Sequence, residues 1–393
     1  MNDKLKKLHA IDWNFSDYTS LTTPGDMGVL HWYPGVFVPL IPSILINALS
    51  NEGDLVFDPF VGSGVTALEA IKLNRQVTGV DINPYSIRIA RAKLIALAQR
   101  DLQWLVDEAL ALKKLPSPKV NGKQANVHPH AEKWFDPKTL VELLLIYDSI
   151  NRNVFDEKNL LRQVIFCSIL NRVCSQRDHY TYITDNCYPK DFIYRPALDL
   201  YLSQCIEVMT TVNILKLQYL AMYGKALEII ESSCIKHADS RALSCMKSHS
   251  VDLIVTSPPY LGVNDYVRSM KLSTLFYPEI GYENVEQEEI GARWKRRKVM
   301  AYDEYIDNMT QCYSEMVRII KPGTFLCVII GESTGRVNKG PVIDTLNKFL
   351  ISTFNCKLIF EKHRKIKFRR IQVPGIGSER ILVFQTPKIV GEI

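Results

Sequence analysis

Two kinds of hydrophobic pattern alternate along this chain. Short, largely apolar runs occur at Leu55-Val56-Phe57, Val251 to Thr256 and Phe325 to Ile330, and Gln76 to Val80 reads as a further strand. Runs of this length suit strands buried on both faces of a parallel sheet. Between them lie amphipathic stretches of helical period, Thr66 to Leu73, Pro84 to Ala98 and Tyr302 to Ile320. Pro84 sits where a first-turn proline belongs, and Lys321-Pro322-Gly323 supplies stop signals after Ile320. Strand, helix, strand from Asp54 to Leu97 is a βαβ unit, so the expected class is α/β with a Rossmann-like, mostly parallel sheet. Cys356 to Phe368 and Arg380 to Phe384, joined by a glycine-containing loop, read as an antiparallel pair that closes the sheet.

From Gln99 to Glu228 the pattern changes. Helical periodicity dominates, as in Leu140 to Ile150 and Leu160 to Val173, and strand signals are sparse. The expected organisation is a sheet-forming domain from residues 1–98 and 229–393, with residues 99–228 as a helical insertion. The sheet resumes with a segment ending at Asp239.

Composition narrows the class without naming a chemistry. Apolar content of 47% and charged content of 23% are ordinary for a globular protein. The net charge of +6 permits a nucleic-acid partner without requiring one. Gly35 to Leu49, broken by Pro39 and Pro42, is too short to span a bilayer, and the residues after Met1 lack the apolar core of a signal peptide. The nine cysteines include no C-x-x-C pair, and His128, His130 and His179 lack metal-ligand spacing, so neither a disulfide framework nor a metal is expected. A cytoplasmic location follows as the expectation.

Two turns carry the candidate chemistry. Asp58-Pro59-Phe60-Val61-Gly62-Ser63-Gly64 follows a strand and opens a helix, the context in which glycines let the backbone approach a ligand. Asp81, at the tip of the next strand, is placed to accept from ribose hydroxyls. A nucleoside-containing cofactor fits this pair. The second turn, Ser257-Pro258-Pro259-Tyr260, stops a buried strand abruptly, because neither proline can donate to a ladder. It holds a hydroxyl, a fixed carbonyl and an aromatic ring at a carboxyl sheet edge, an arrangement suited to a planar ring bearing an amino group.

Together these motifs resemble the S-adenosylmethionine-dependent DNA methyltransferases that modify exocyclic amines. The resemblance covers the sheet-forming parts, roughly residues 25–98 and 230–385. It implies the class I methyltransferase sheet and S-adenosylmethionine as cofactor. The implied cradle is Asp58, Pro59, Phe60, Gly62, Ser63 and Gly64, with Asp81 at the ribose and Asp239 beside the adenine. His31-Trp32-Tyr33-Pro34-Gly35-x-Phe37 resembles the family's amino-terminal cofactor motif, which adds Tyr33 and Phe37. The implied catalytic residues are Ser257, Pro258, Pro259 and Tyr260. Ser257 Oγ and the Pro258 carbonyl would accept from the amine, and Tyr260 would stack on a base flipped out of the duplex. Serine at the first position of the turn leans toward cytosine N4 over adenine N6. Attack through cytosine carbon-5 needs a thiolate, presented by that family in a Pro-Cys loop, and no cysteine here follows a proline.

The partner implied is double-stranded DNA, with a cognate restriction endonuclease as a companion and no membrane. Candidate phosphate contacts are Arg293, Lys295, Arg296, Arg297 and Lys298 around Trp294, and a second cluster runs from Lys362 to Arg370. In the insertion, Arg177 and Lys190 lie in a polar-aromatic stretch, in the place of a target-recognition region for one circular order of the family. An RNA methyltransferase acting on a guanine amine shares both turns, but the residues before Leu55 leave little room for its usual RNA-binding module. A non-catalytic nucleic-acid-binding module is a third reading, which intact Gly62, Gly64, Asp81 and Ser257 disfavour.

Overall fold

The computed structural model describes residues 2–15, 27–36, 38–115, 127–152, 156–176, 188–218, 223–280, 283–333, 341–365 and 376–388. Seven strands form one sheet: β1 (Leu55–Asp58), β2 (Gln76–Asp81), β3 (Cys234–His237), β4 (Val251–Thr256), β5 (Ile320–Ser333), β6 (Lys357–Lys365) and β7 (Ile376–Gln385). Their spatial order is β3-β2-β1-β4-β5-β7-β6. The first five are parallel, and β7 runs antiparallel between β5 and β6. The expected α/β sheet with an antiparallel carboxyl-terminal strand is therefore present.

β1 pairs with β2 on one side and β4 on the other. The chain's progression across the sheet reverses between them, and crossover connections leave in opposite directions. A crevice opens at the carboxyl ends of strands at such a switch point. Val56, Phe57, Leu253, Ile254 and Val255 are wholly buried, which explains why these strands read as largely apolar runs.

Helices cover both faces: α1 (Asn2–His9), α2 (Leu40–Leu49), α3 (Val65–Lys72), α4 (Pro84–Ala98), α5 (Gln103–Lys113), α6 (Pro137–Asn151), α7 (Glu157–Val173), α8 (Ala197–Gln218), α9 (Tyr223–Ser232), α10 (Lys271–Phe276), α11 (Glu283–Glu288), α12 (Ala301–Ile319) and α13 (Val342–Phe354). Local chemistry sets several starts. Asn83 caps α4 by accepting from the Tyr85 amide, and Asp136 and Asp156 do the same for α6 and α7. The described residues from α5 to α8 are mostly helical. Its apolar side chains share one cluster with Ile89 and Ile95 of α4 and with Leu272, Phe276 and Tyr277 beyond the second turn.

One detail differs from the sequence reading. Lys321-Pro322-Gly323 ends α12 but lies inside β5, where it is accommodated by an irregularity: Val251 pairs with Ile320, whereas Leu253 pairs with Phe325. Before α12, α11 is followed by a short 3-10 turn at Arg293–Arg297.

Candidate active site

A cleft of about 790 Å³, open mouth included, lies at the switch point. One wall is the loop after β1 with the tip of β2: Phe60, Val61, Gly62, Ser63, Asp81, Ile82 and Asn83. The facing wall carries Ser257, Pro259, Tyr266, Val267 and Glu289, and Tyr33, Pro34, Gly35 and Val36 close one side. Asp239 and Ser240 also reach it. Residues more than 200 apart in the chain thus converge on one space because β1 and β4 are neighbours in the sheet.

The loop after β1 is built on two carboxylates. Asp58 is buried, and its Oδ1 accepts from Thr256 Oγ1 at 2.6 Å and from the Phe60 amide at 3.0 Å. It therefore ties the end of β4 to the turn rather than facing the cleft, and burial pushes its carboxyl up to about 6. Asp81 accepts from the Gly62 amide at 2.9 Å and the Asn83 amide at 2.8 Å, one on each oxygen. Burial raises it to about 7 against the pull of those two amides. Gly62 adopts φ +49° and Gly64 φ +85°. Gly64 does not touch the cleft: a Cβ there would meet Ala90 Cβ at 2.9 Å, so its smallness lets α3 pack on α4.

Tyr33 is buried, bonded through its hydroxyl to Ser86 Oγ at 2.6 Å, and stacked on Tyr266 with ring centroids 5.8 Å apart. Gly35, at φ +69°, approaches so closely that a Cβ would lie 2.8 Å from Asn264 Nδ2. Phe37 lies outside the described residues. Asp239 carries a bidentate partner, Arg241 Nε and Nη2, which engages both its oxygens.

Of the second turn, Ser257 and Pro259 face the cleft, while Pro258 and Tyr260 are buried behind it. The expected stacking role of Tyr260 is corrected here. Its ring is only 8% exposed and belongs to an apolar cluster with Phe57, Leu261 and Tyr305. Its hydroxyl donates to Glu379 Oε1 at 2.9 Å. The aromatic ring on this wall is Tyr266 instead.

Several cleft residues were missed from sequence, among them Tyr266, Glu289 and Asn83. Glu289 is 3% exposed and accepts from the Tyr266 amide at 2.6 Å. Burial raises its carboxyl to about 8, reinforced by nearby Asp265 and Asp81. It stands in the run Glu286-Gln287-Glu288-Glu289, which reads as solvated surface, so no local signal marked it. Asn83 caps α4 through its Oδ1, while its buried Nδ2 has no partner among the described residues and it lines the cleft.

The basic cluster divides. Lys295 is corrected: it is 8% exposed, and its ammonium donates to the carbonyls of Gln287 and Glu289 at 2.6 and 2.9 Å. It therefore anchors the Glu289 segment and cannot reach phosphate. Lys298 is exposed and lies 5.1 Å from the Trp294 ring centre, while Arg293 and Arg296 are part-exposed. Lys190 is exposed; Arg177, and Lys367 to Arg370 of the second cluster, lie outside the described residues. Arg364, also of the second cluster, is buried against Glu379 and is not a surface cation.

Sequence comparison with known proteins shows the family. A family model described as DNA methylase, for N6 and N4 methyltransferases, matches residues 4–92 and 251–389, more than half the chain and both walls of the cleft. Type II methyltransferase M.MvaI of Kocuria varians is 20% identical over 96% of this chain and 92% of its own length. Type II methyltransferase M.MjaII of Methanocaldococcus jannaschii is 21% identical over 77% of this chain and 71% of its own. Among solved structures, a SAM-dependent methyltransferase from Methanosarcina mazei aligns over 88% of this chain and 97% of its own, at 10% identity and a TM-score of 0.35.

Proposed function

This chain belongs to the DNA methylase family of N6 and N4 methyltransferases, and from that premise we propose that it methylates the exocyclic N4 amine of cytosine at specific sites in duplex DNA. The observation that carries the reading is Ser257, a short hydroxyl on the cleft wall opposite the Gly62–Asp81 cradle.

The methyl donor of the family is S-adenosylmethionine, and the residues present suit it. Asp81 has two oxygens with room for further donors beyond the Gly62 and Asn83 amides, which is what vicinal ribose hydroxyls require. The orphaned Asn83 Nδ2 offers a donor beside it. Phe60, Gly62, Ser63, Asp81, Asn83 and Tyr33 would hold the cofactor, with Asp239 at the cleft edge. When bound, it supplies an electrophilic methyl on a cationic sulfur.

The chain's own contribution is orientation. The lone pair of an aromatic amine is delocalised into the ring and is a poor nucleophile. Two acceptors that bond its hydrogens favour a pyramidal nitrogen whose lone pair faces the methyl. Ser257 Oγ is one acceptor. The Pro258 carbonyl is assigned as the other; the neighbouring Pro259 carbonyl accepts from the Tyr305 hydroxyl at 2.8 Å. Reaching this site requires the base to leave the duplex, at a cost of roughly a few kcal/mol. We assign stacking on the extruded base to Tyr266. Among the described residues none of the cleft-lining side chains is a cysteine, in keeping with direct transfer rather than a thiolate adduct. The helical stretch 99–228 is proposed as the target-recognition region. By likeness to the type II methyltransferases, the proposal extends to a cognate endonuclease whose site is masked by the methylation.

The test is expression in a methylation-free host followed by genome-wide mapping of modified bases by type and context. N4-methylcytosine in one sequence context is expected. N6-methyladenine would move the assignment to adenine, and an unmodified genome would overturn the reading.

A further inference from the structure

The carboxyl-terminal hairpin places a buried charge pair directly behind the second turn. Arg364 of β6 and Glu379 of β7 are register partners, 7% and 8% exposed, and Arg364 Nη1 donates to Glu379 Oε2 at 2.8 Å. The other oxygen, Oε1, accepts from the Tyr260 hydroxyl at 2.9 Å. The Tyr260 oxygen in turn lies 3.3 Å from Ser257 Oγ. Burying a charge pair costs desolvation that its own attraction seldom exceeds, so stability alone gives no reason for this one.

Proton counting gives the chain a direction. An ion-paired carboxylate only accepts, and a phenol has a single proton. Tyr260 spends that proton on Glu379, so toward Ser257 it presents only lone pairs. The Ser257 proton therefore points to Tyr260, and the lone pairs of Oγ are left facing the cleft. An acceptor is what an amine N–H requires. We propose that Glu379, held by Arg364 and acting through Tyr260, is a positioning residue that sets the hydrogen-bond polarity of Ser257. This rests on Ser257 being the amine acceptor of the proposed reaction.

The test uses the full chain with cognate duplex and isotopically labelled methyl donor, comparing wild type, Glu379→Gln, Tyr260→Phe, Ser257→Ala and the Glu379→Gln/Ser257→Ala double variant. A glutamine can donate to the Tyr260 oxygen and turn the phenol proton onto Ser257, which then presents its own proton to the amine. In Glu379→Gln, kcat is expected to fall on the order of 100-fold, the scale of a misaligned reactive group. Cofactor Kd and the KM for DNA should stay within about twofold, since neither binding surface is touched. In the Ser257→Ala background, followed under single-turnover conditions, Glu379→Gln should add less than about twofold, because residues acting through one group are not additive. Tyr260→Phe breaks the chain while leaving the ion pair intact, and it should reproduce the loss even if Glu379→Gln folds poorly. Undiminished kcat in Tyr260→Phe, or equal losses from Glu379→Gln with and without Ser257, would overturn the proposal. Full turnover by Ser257→Ala would instead overturn the role of Ser257 on which it rests.

Discussion

The Gly62 amide donates to Asp81 Oδ2 across 2.9 Å, linking the loop after β1 to the tip of β2. The bond fixes the backbone of a tight turn and aims one half-buried carboxylate into the cleft. Because burial holds Asp81 near 7, the site is sensitive to neutral pH.

Hydroxyl donors from a bound ribose favour the ionised form of Asp81 and lower its pKa, so cofactor binding releases a proton. Affinity for S-adenosylmethionine should therefore rise between about pH 6 and 8, at most tenfold per unit, and level off above. Calorimetry in buffers of different ionisation enthalpy reads the proton directly. Asp81→Asn should bind more weakly, with a shallower pH dependence. An unaltered profile in that variant would separate Asp81 from the ligand.

Stability should run the other way. Asp58, Asp81 and Glu289 titrate in the folded protein near 6, 7 and 8, above their ordinary values of 3.8 and 4.5. The folded state thus keeps protons that the unfolded chain releases. Their contribution is complete below about pH 4 and is lost as pH climbs toward 8. Thermal melts without cofactor should give a higher Tm at pH 6 than at pH 8.5, and Glu289→Gln should reduce that difference. A Tm that rises over this interval in the wild type would contradict the burial of these carboxylates.

Gly64 and Gly53 separate backbone strain from packing. Both adopt positive φ, +85° and +82°, but a Cβ at Gly64 would strike Ala90 at 2.9 Å whereas none lies near Gly53. Gly53→Ala should cost only the left-handed strain, about 1 kcal/mol, and Gly64→Ala roughly 1–3 kcal/mol more through overpacking. Urea denaturation of the two variants measures the difference; equal costs would remove the α3–α4 contact as the reason for Gly64.

The basic cluster should split in the same manner. Lys298→Ala is expected to reduce the slope of log K against log salt for DNA binding by about 0.9, the value for one phosphate contact. Lys295→Ala should leave the slope alone and instead lower the melting temperature, because its ammonium holds the Gln287 and Glu289 carbonyls. Filter binding across a salt series, with melts alongside, distinguishes them. A changed slope in Lys295→Ala would return that residue to the DNA surface.

What the chain determined by itself is whatever depends on neighbours in sequence. The strands β1, β2 and β4, the glycine-bearing turn after β1, Pro84 in the first turn of α4 and the proline stop after Thr256 are local features, and each was readable. So was the joint meaning of the Asp58 and Ser257 turns, because the βαβ rule makes both end at one sheet edge.

Only tertiary structure decided which way side chains at those turns face and which charges stay in water. Tyr260 turns inward because β7, 119 residues later, brings a carboxylate beneath it. Lys295 and Arg364 sit in charge runs that resemble surface, yet one closes over the Glu289 segment and the other is sealed between strands. Burial and hydrogen-bond partnership are properties of the whole packing. A charged residue carries the same letter whether it meets solvent, phosphate or a buried carboxylate, and only the fold assigns it one of the three.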